Sequence, residues 1–298
     1  MVNTPIFVVS DLHIGSKGIR DNFSHDNRSC FFNSFLDHVE KENGELIILG
    51  DFIDLWKFNL DKVIKARIDL LDRLAEMKVY FIPGNHDQAF VRYINSQCVP
   101  HPFFRKLTKP FVKIIGGKKF SFIHGHELDF FNRNLTPHMG RAFGLSSSLI
   151  EYAKGCPLLS SDAIEETLLN IEEKLFLFFS NIAQYVINLD YSSELLRNIQ
   201  ILPRQRRIDK FILKQALKRN SDCNDVSISA HTHHLCRFQN WYFNSGSWTD
   251  RTNDFIQILP DGKVNLFNWQ AGSPRLNNNE LTSSSYYSKF KTGYIMVN

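Results

Sequence analysis

Seven of the eleven histidines, His13, His86, His124, His126, His231, His233 and His234, fall in four short clusters, each behind an apolar run. Asp11, Asp51, Asp54, Asn85 and Asp87 stand beside them. Carboxylate, imidazole and side-chain amide together, without a thiolate, make a donor set for Mn, Fe or Zn. Ca and Mg want almost only oxygen, and a structural zinc site usually contains cysteine. Residues two apart in extended chain point to one side, so Asp11 with His13, and His231 with His233, act as pincers on one cavity. Seven candidate ligands are too many for one ion. Two divalent cations about 3.5–4 Å apart with a shared carboxylate is the economical arrangement, and it is one used for displacement at phosphorus. The expected cofactors are therefore two divalent ions, Mn first, with Fe or Zn as alternatives.

These clusters need elements to carry them. Ile6–Val9, Leu46–Leu49, Val79–Ile82, Phe120–Ile123 and Val226–Ile228 read as short strands, the first three apolar on both faces. Between them Phe31, Phe32, Phe35, Leu36 and Val39 mark one helical stripe, capped by Ser29. Val63, Ile64, Ile68, Leu71, Leu74 and Ala75 mark another. Strand–helix–strand alternation means an α/β sheet, with each cluster at a strand's carboxyl end, where such sheets bind ligands. Gly50, Gly84 and Gly125 adjoin the candidate ligands, where the backbone must turn tightly.

After His126 no strand pattern appears until Val226, while helical patterns run over 164–189 and 208–217. The expected organisation is a core at 1–134, a helical cap insertion at 135–222, the second part of the core at 223–271, and a loosely ordered tail at 272–298. Trp241–Phe243, Phe255–Leu259 and Val264–Trp269 read as further strands, the last two joined by a turn at Pro260-Asp261-Gly262. His25, His38, His101 and His138 read as solvated or structural.

With 43% apolar residues in 298, the chain can bury a substantial core and is not a disordered polymer. A net charge of +4 argues against a bulk nucleic-acid-binding surface. The first strand starts too close to Met1 for a signal peptide, and no apolar run approaches the ~18 residues of a spanning helix. Five cysteines without a close CxxC pair fit a reducing cytoplasm. The expected location is cytoplasmic, with any membrane contact peripheral, on the inner face.

Ser10-Asp11-Leu12-His13, Gly50-Asp51-Phe52-Ile53-Asp54, Gly84-Asn85-His86-Asp87, His124-Gly125-His126 and His231-Thr232-His233 resemble, in order, the five motifs of the calcineurin-like metallophosphoesterases. The resemblance spans roughly residues 6 to 250. It implies a β-sandwich flanked by helices, with Asp11, His13, Asp51 and His233 on one metal. Asp51, Asn85, His124 and His231 hold the other, with Asp51 bridging. Within the superfamily the chain is most similar to the UDP-2,3-diacylglucosamine diphosphatase group, which acts in lipid A synthesis. That likeness rests on the Leu55-Trp56 extension of the second motif, the insertion, and Asn244-Ser245-Gly246-Ser247-Trp248. Two departures stand against it: the best-known members have arginine at His86, and the group commonly has aspartate at the positions of His126 and Ser247.

The expected chemistry is in-line attack on phosphorus by a metal-bridging hydroxide, with His86 donating a proton to the leaving oxygen and Asp87 orienting its ring. Asp54, His126 and Asp129 are expected to orient ligand imidazoles, and His234, Asn244 and Trp248 to orient ligands or meet substrate. In the insertion, an apolar set from Ile164 to Val186 and a basic run including Arg204, Arg206, Arg207 and Lys210 permit two readings. One is ordinary packing with a solvated basic face; the other is a cap covering acyl chains and meeting anionic headgroups. The substrate expectation is a nucleotide-diphosphate lipid of the UDP-2,3-diacylglucosamine kind. The alternative is a soluble phosphodiesterase or phosphatase acting on nucleotides, phosphoprotein or nucleic acid.

Overall fold

The computed structural model describes residues 4–18, 20–128, 225–249, 252–270 and 272–277. The expected helical insertion, with Arg206 and Arg207, lies outside the described residues, as does Asp129.

Two sheets build the molecule. The first has six strands: β1 (Ile6–Val9), β2 (Glu45–Leu49), β3 (Val79–Ile82), β9 (Asp254–Ile258), β10 (Val264–Gln270) and β11 (Ser273–Leu276), in the order β11-β10-β9-β1-β2-β3. The second has five: β4 (Phe111–Ile115), β5 (Lys118–Phe122), β6 (Asp225–Ser229), β7 (Leu235–Phe238) and β8 (Tyr242–Ser245), in the order β4-β5-β6-β8-β7. Parallel ladders join β1 to β2 and β2 to β3 in the first, and β5 to β6 and β6 to β8 in the second. Each sheet therefore sends three parallel strands toward one rim.

Period-two alternation decides which side chains meet. Ile6, Val8, Ile47, Leu49 and Ile82 pack with Phe120, Phe122, Val226, Ile228 and Phe243 of the second sheet, so the sheets face each other over this core. Phe7, Val9, Leu46, Ile48 and Phe81 point the other way, onto helix α1 (Arg28–Lys41) and helix α3 (Ile68–Glu76). The double-sided hydrophobicity of these strands is thus the pattern of a layer buried between a sheet and helices. No helix among the described residues is long and apolar enough to cross a membrane.

Several local expectations change. Ser29 is not the cap of α1; Asn27 precedes the helix in the left-handed region (φ 58) and makes no side-chain cap bond. The second apolar stripe is two helices, α2 (Leu60–Ala66) and α3, broken at Arg67 (φ −123, ψ 23). The break coincides with an inward turn of the Arg67 side chain, whose guanidinium donates to Asp21 at 2.6 Å and to the Gly15 carbonyl at 3.2 Å. β4, β7 and β11 were not legible as strands, and β11 pairs with β10 inside the stretch that reads as an aperiodic tail. The Pro260-Asp261-Gly262 turn does join β9 to β10, Gly262 adopting φ 81.

Candidate metal centre

Each candidate ligand follows one of the parallel strands: Asp11 and His13 after β1, Asp51 after β2, Asn85 after β3, His124 after β5, His231 and His233 after β6. Backbone bonds lash these loops together. His13 N–H donates to the Asp51 carbonyl (2.9 Å), Ala230 N–H to the His124 carbonyl (2.8 Å) and Trp248 N–H to the Asp11 carbonyl (3.2 Å). The turns are sharp enough to put Asp11 (φ 51), His13 (φ 47), Asp51 (φ 51), His231 (φ 73) and His233 (φ 59) in the left-handed region. Asp, Asn and His tolerate that region better than other non-glycine residues, and strain of this kind concentrates at functional sites. Gly50 (φ 86) and Gly84 also have no room for a side chain. A Cβ on Gly84 would lie 2.6 Å from the Asp51 nitrogen and 2.8 Å from His124 Nε2, and one on Gly50 2.8 Å from Gly84 Cα.

Two groups of donors result, Asp11 with His13 and His233, and Asp51 with His124 and His231. In the first, His233 Nε2 is 3.2 Å from Asp11 Oδ1 and 3.3 Å from His13 Nε2. In the second, His124 Nε2 is 3.1 Å from Asn85 Oδ1 and 3.4 Å from Asp51 Oδ2. The same Asp51 Oδ2 lies 3.9 Å from His13 Nε2, between the groups, as a bridging carboxylate must.

Hydrogen bonds behind the rings aim them. His124 Nδ1–H donates to the Leu49 carbonyl at 2.7 Å, leaving Nε2 to face the centre. Thr249 Oγ1 donates to Ser247 Oγ (3.2 Å) and so accepts from His233 Nδ1–H (3.2 Å), which frees His233 Nε2 in the same way. Lone pairs and carboxylate oxygens are thereby gathered with too few protons among them. Asp11 Oδ1 is buried without a hydrogen bond. That oxygen lies 3.2 Å from His233 Nε2 and 3.9 Å from His13 Nε2, and a buried carboxylate oxygen beside ring nitrogens is unfavourable unless a proton or a cation lies between them, so the donor set fits a metal pair.

With no cation between them, the carboxylates and imidazoles set one another's protonation. Burial would raise the Asp11 carboxyl, but His233 and His124 hold it down at about 2. Burial also works against Asp51, and His124 and His86 still keep it well below the usual carboxylate range. Burial, with His86 and His233 nearby, pushes His13 down to about 3. His124 is the exception. Burial disfavours its charge, yet the Asp51 and Asp11 carboxylates lift it to about 10.

His86 sits beside the first group without belonging to it. Its Nδ1 bonds Asp54 Oδ1 at 2.9 Å, its ring meets His13 edge-on with centroids 4.4 Å apart, and Trp56 stacks on it at 3.7 Å. Burial opposes ionisation of Asp54, but its bond to His86 and the charges of His86, His13 and Lys57 bring it to about 2. His13, Asp54 and His86 also form a third donor group.

Two assigned roles need correction. Asp87 does not orient His86; its carboxylate accepts from the backbone N–H groups of Phe52 (2.7 Å), Ile53 (3.2 Å) and Gly84 (2.6 Å). It ties the β2 and β3 loops together, and Asp54 takes the orienting role. Burial and the Asp51 charge raise Asp87 to about 7. Trp248 is not a substrate contact: its ring is fully buried 5.0 Å from Phe32, its Nε1–H donating to the Asp254 carbonyl at 2.8 Å.

Asn244 is likewise internal, donating to the Ala230 carbonyl (2.8 Å) next to His231. His126 packs on His124 and His231 at 5.3 and 6.4 Å, and burial pushes it down to about 4. His234 is half-buried. His38 and His101 are structural: His38 packs on Phe7, and His101 Nδ1 accepts from Phe103 N–H at 3.2 Å. Sequence reasoning missed Thr249, which no pattern marked, and the role of Trp56, whose only signal was its place just after the second motif.

A search among curated proteins gives no match. The family model of the calcineurin-like phosphoesterases matches residues 4–244, a stretch that runs from β1 into β8 and contains every candidate ligand. The match covers most of the chain, which belongs to the calcineurin-like phosphoesterases, a family of metal-dependent hydrolases.

Proposed function

We propose that this protein hydrolyses a phosphoric ester or diphosphate by in-line attack of water at phosphorus. The observation that carries the reading is the pair of donor groups facing one Asp51 oxygen, with the His86–Asp54 pair at their edge. Asp11, His13, Asp51 and His233 would hold one cation, and Asp51, Asn85, His124 and His231 the other. Manganese is the ion we favour, from the mixed nitrogen and oxygen donors. When bound, the cations acidify a water and set positive charge against the phosphoryl oxygens.

The chain's own residues do the rest. Leu49 and Thr249 hold the His124 and His233 rings in the tautomer that presents Nε2. Asp54 holds the Nδ1 proton of His86, which leaves Nε2 to carry the proton delivered to the leaving oxygen.

For the substrate, the motif likeness supports a UDP-2,3-diacylglucosamine-type diphosphate, with acyl chains and anionic headgroups met by the cap and Arg206 and Arg207. One observation favours a second reading. A sugar phosphate leaving a diphosphate is a weak base, whereas the alkoxide of a monoester or diester needs a proton, and His86 with its Asp54 partner is built to provide one. The test is a paired assay with Mn: UMP release from UDP-2,3-diacylglucosamine against turnover of bis-p-nitrophenyl phosphate and p-nitrophenyl phosphate. Efficient UMP release supports the lipid diphosphate; fast ester turnover without UMP removes it; no turnover of any of the three overturns the proposed hydrolysis.

A further inference from the structure

Trp56 is the one large aromatic ring stacked face to face on His86 among the described residues, with centroids 3.7 Å apart and planes 23° from parallel. Its neighbours on the chain serve the same imidazole: Asp54 bonds His86 Nδ1, Lys57 Nζ lies 3.5 Å from the other Asp54 oxygen, and Trp56 N–H itself donates to Asp54 Oδ1 at 3.2 Å. His13 meets the ring at 85°. The imidazole is thus held at one nitrogen, on one face and by one perpendicular ring, while Nε2 makes no hydrogen bond within the described residues. Its Cβ tether and one hydrogen bond at Nδ1 still leave the ring plane slack to tilt; a stacked face limits that tilt.

We propose that Trp56 is a positioning residue for proton delivery: its indole fixes the plane of His86, and so the direction of Nε2, toward the leaving oxygen of the substrate. This rests on the acid role given to His86 above. The indole itself touches no reacting atom.

The experiment compares Trp56→Ala, Trp56→Phe and His86→Gln in the Mn-loaded full chain, over phosphodiesters whose leaving groups run from p-nitrophenol to simple alcohols. Trp56→Ala should lower kcat about 5- to 10-fold for the alcohols, with less than about a twofold change for p-nitrophenol and an unchanged KM; tenfold in rate corresponds to about 1.4 kcal/mol of barrier. Trp56→Phe should recover most of the loss, because a smaller ring still covers the face. His86 ring protons, observed by NMR in the zinc-loaded protein, should move downfield in Trp56→Ala as the indole ring current is lost. Equal losses for all leaving groups, or none, would overturn the positioning role. If His86→Gln shows the leaving-group dependence and Trp56→Ala does not, only this inference fails. If His86→Gln shows none, the acid role fails first.

Discussion

At the scale of single residues the centre trades stability for chemistry. Five candidate ligands hold left-handed backbone, and non-glycine residues pay on the order of 1 kcal/mol or more for such conformations. His13→Gly relaxes one of them and withdraws a buried ring from beside two other imidazoles. In chelator-treated protein it should raise unfolding free energy by about 1 kcal/mol while the stabilisation by added Mn disappears, as denaturant titrations with and without metal would show. A variant less stable than the parent in chelator would contradict the strain account. Gly84→Ala is the opposite case. Its methyl would push on Asp51 and His124, so metal content should fall for both ions with the fold retained, read by metal analysis beside thermal melting.

Among the elements, the break between α2 and α3 does structural work for the loop behind His13. Asp21, fully buried, accepts from Gly15 N–H (3.1 Å), Lys17 N–H (2.8 Å) and Phe23 N–H (3.1 Å), and Arg67 neutralises it at 2.6 Å. Removing one partner of a buried pair strands the other, so Arg67→Ala should cost about 3–5 kcal/mol in denaturant unfolding. Asp21→Asn added to it should return part of that loss. A loss from Arg67→Ala below about 1 kcal/mol would mean the pair is not what shapes this loop.

Over the whole molecule, the two sheets are joined far from the centre by Glu45, at the start of β2, which bonds Lys113 of β4 and Lys78 ahead of β3. Burial raises the Glu45 carboxyl, but both lysines outweigh it and leave it below its ordinary 4.5. A carboxylate whose pKa is depressed by folding adds stability above its unfolded pKa and loses it as pH falls through the folded value. Glu45→Gln should therefore be less stable than the parent by about 1 kcal/mol at pH 7, and the difference should shrink as pH drops below about 4.5. A difference that stays constant down to pH 3 would mean the ion pair contributes nothing across the sheets.

The amino-acid sequence by itself determined which residues could ligate and which strands carry them, because ligand chemistry is written in residue type and strand burial in local hydrophobic alternation. Asp11, His13, Asp51, Asn85, His124, His231 and His233 were all legible on those grounds and on the motif resemblance, before any contact between them was known. Orientation was not. That Asp54 rather than Asp87 holds His86, that Thr249 aims His233, and that Trp248 is core depend on which loops lie back to back, as His13 and His233 do from positions 220 apart in the sequence. The strands β4, β7 and β11 escaped for the same reason. Short strands such as β4, half-exposed, and β11, exposed throughout, draw their stability from neighbours in the sheet rather than from their own pattern, and only the tertiary structure supplies those neighbours.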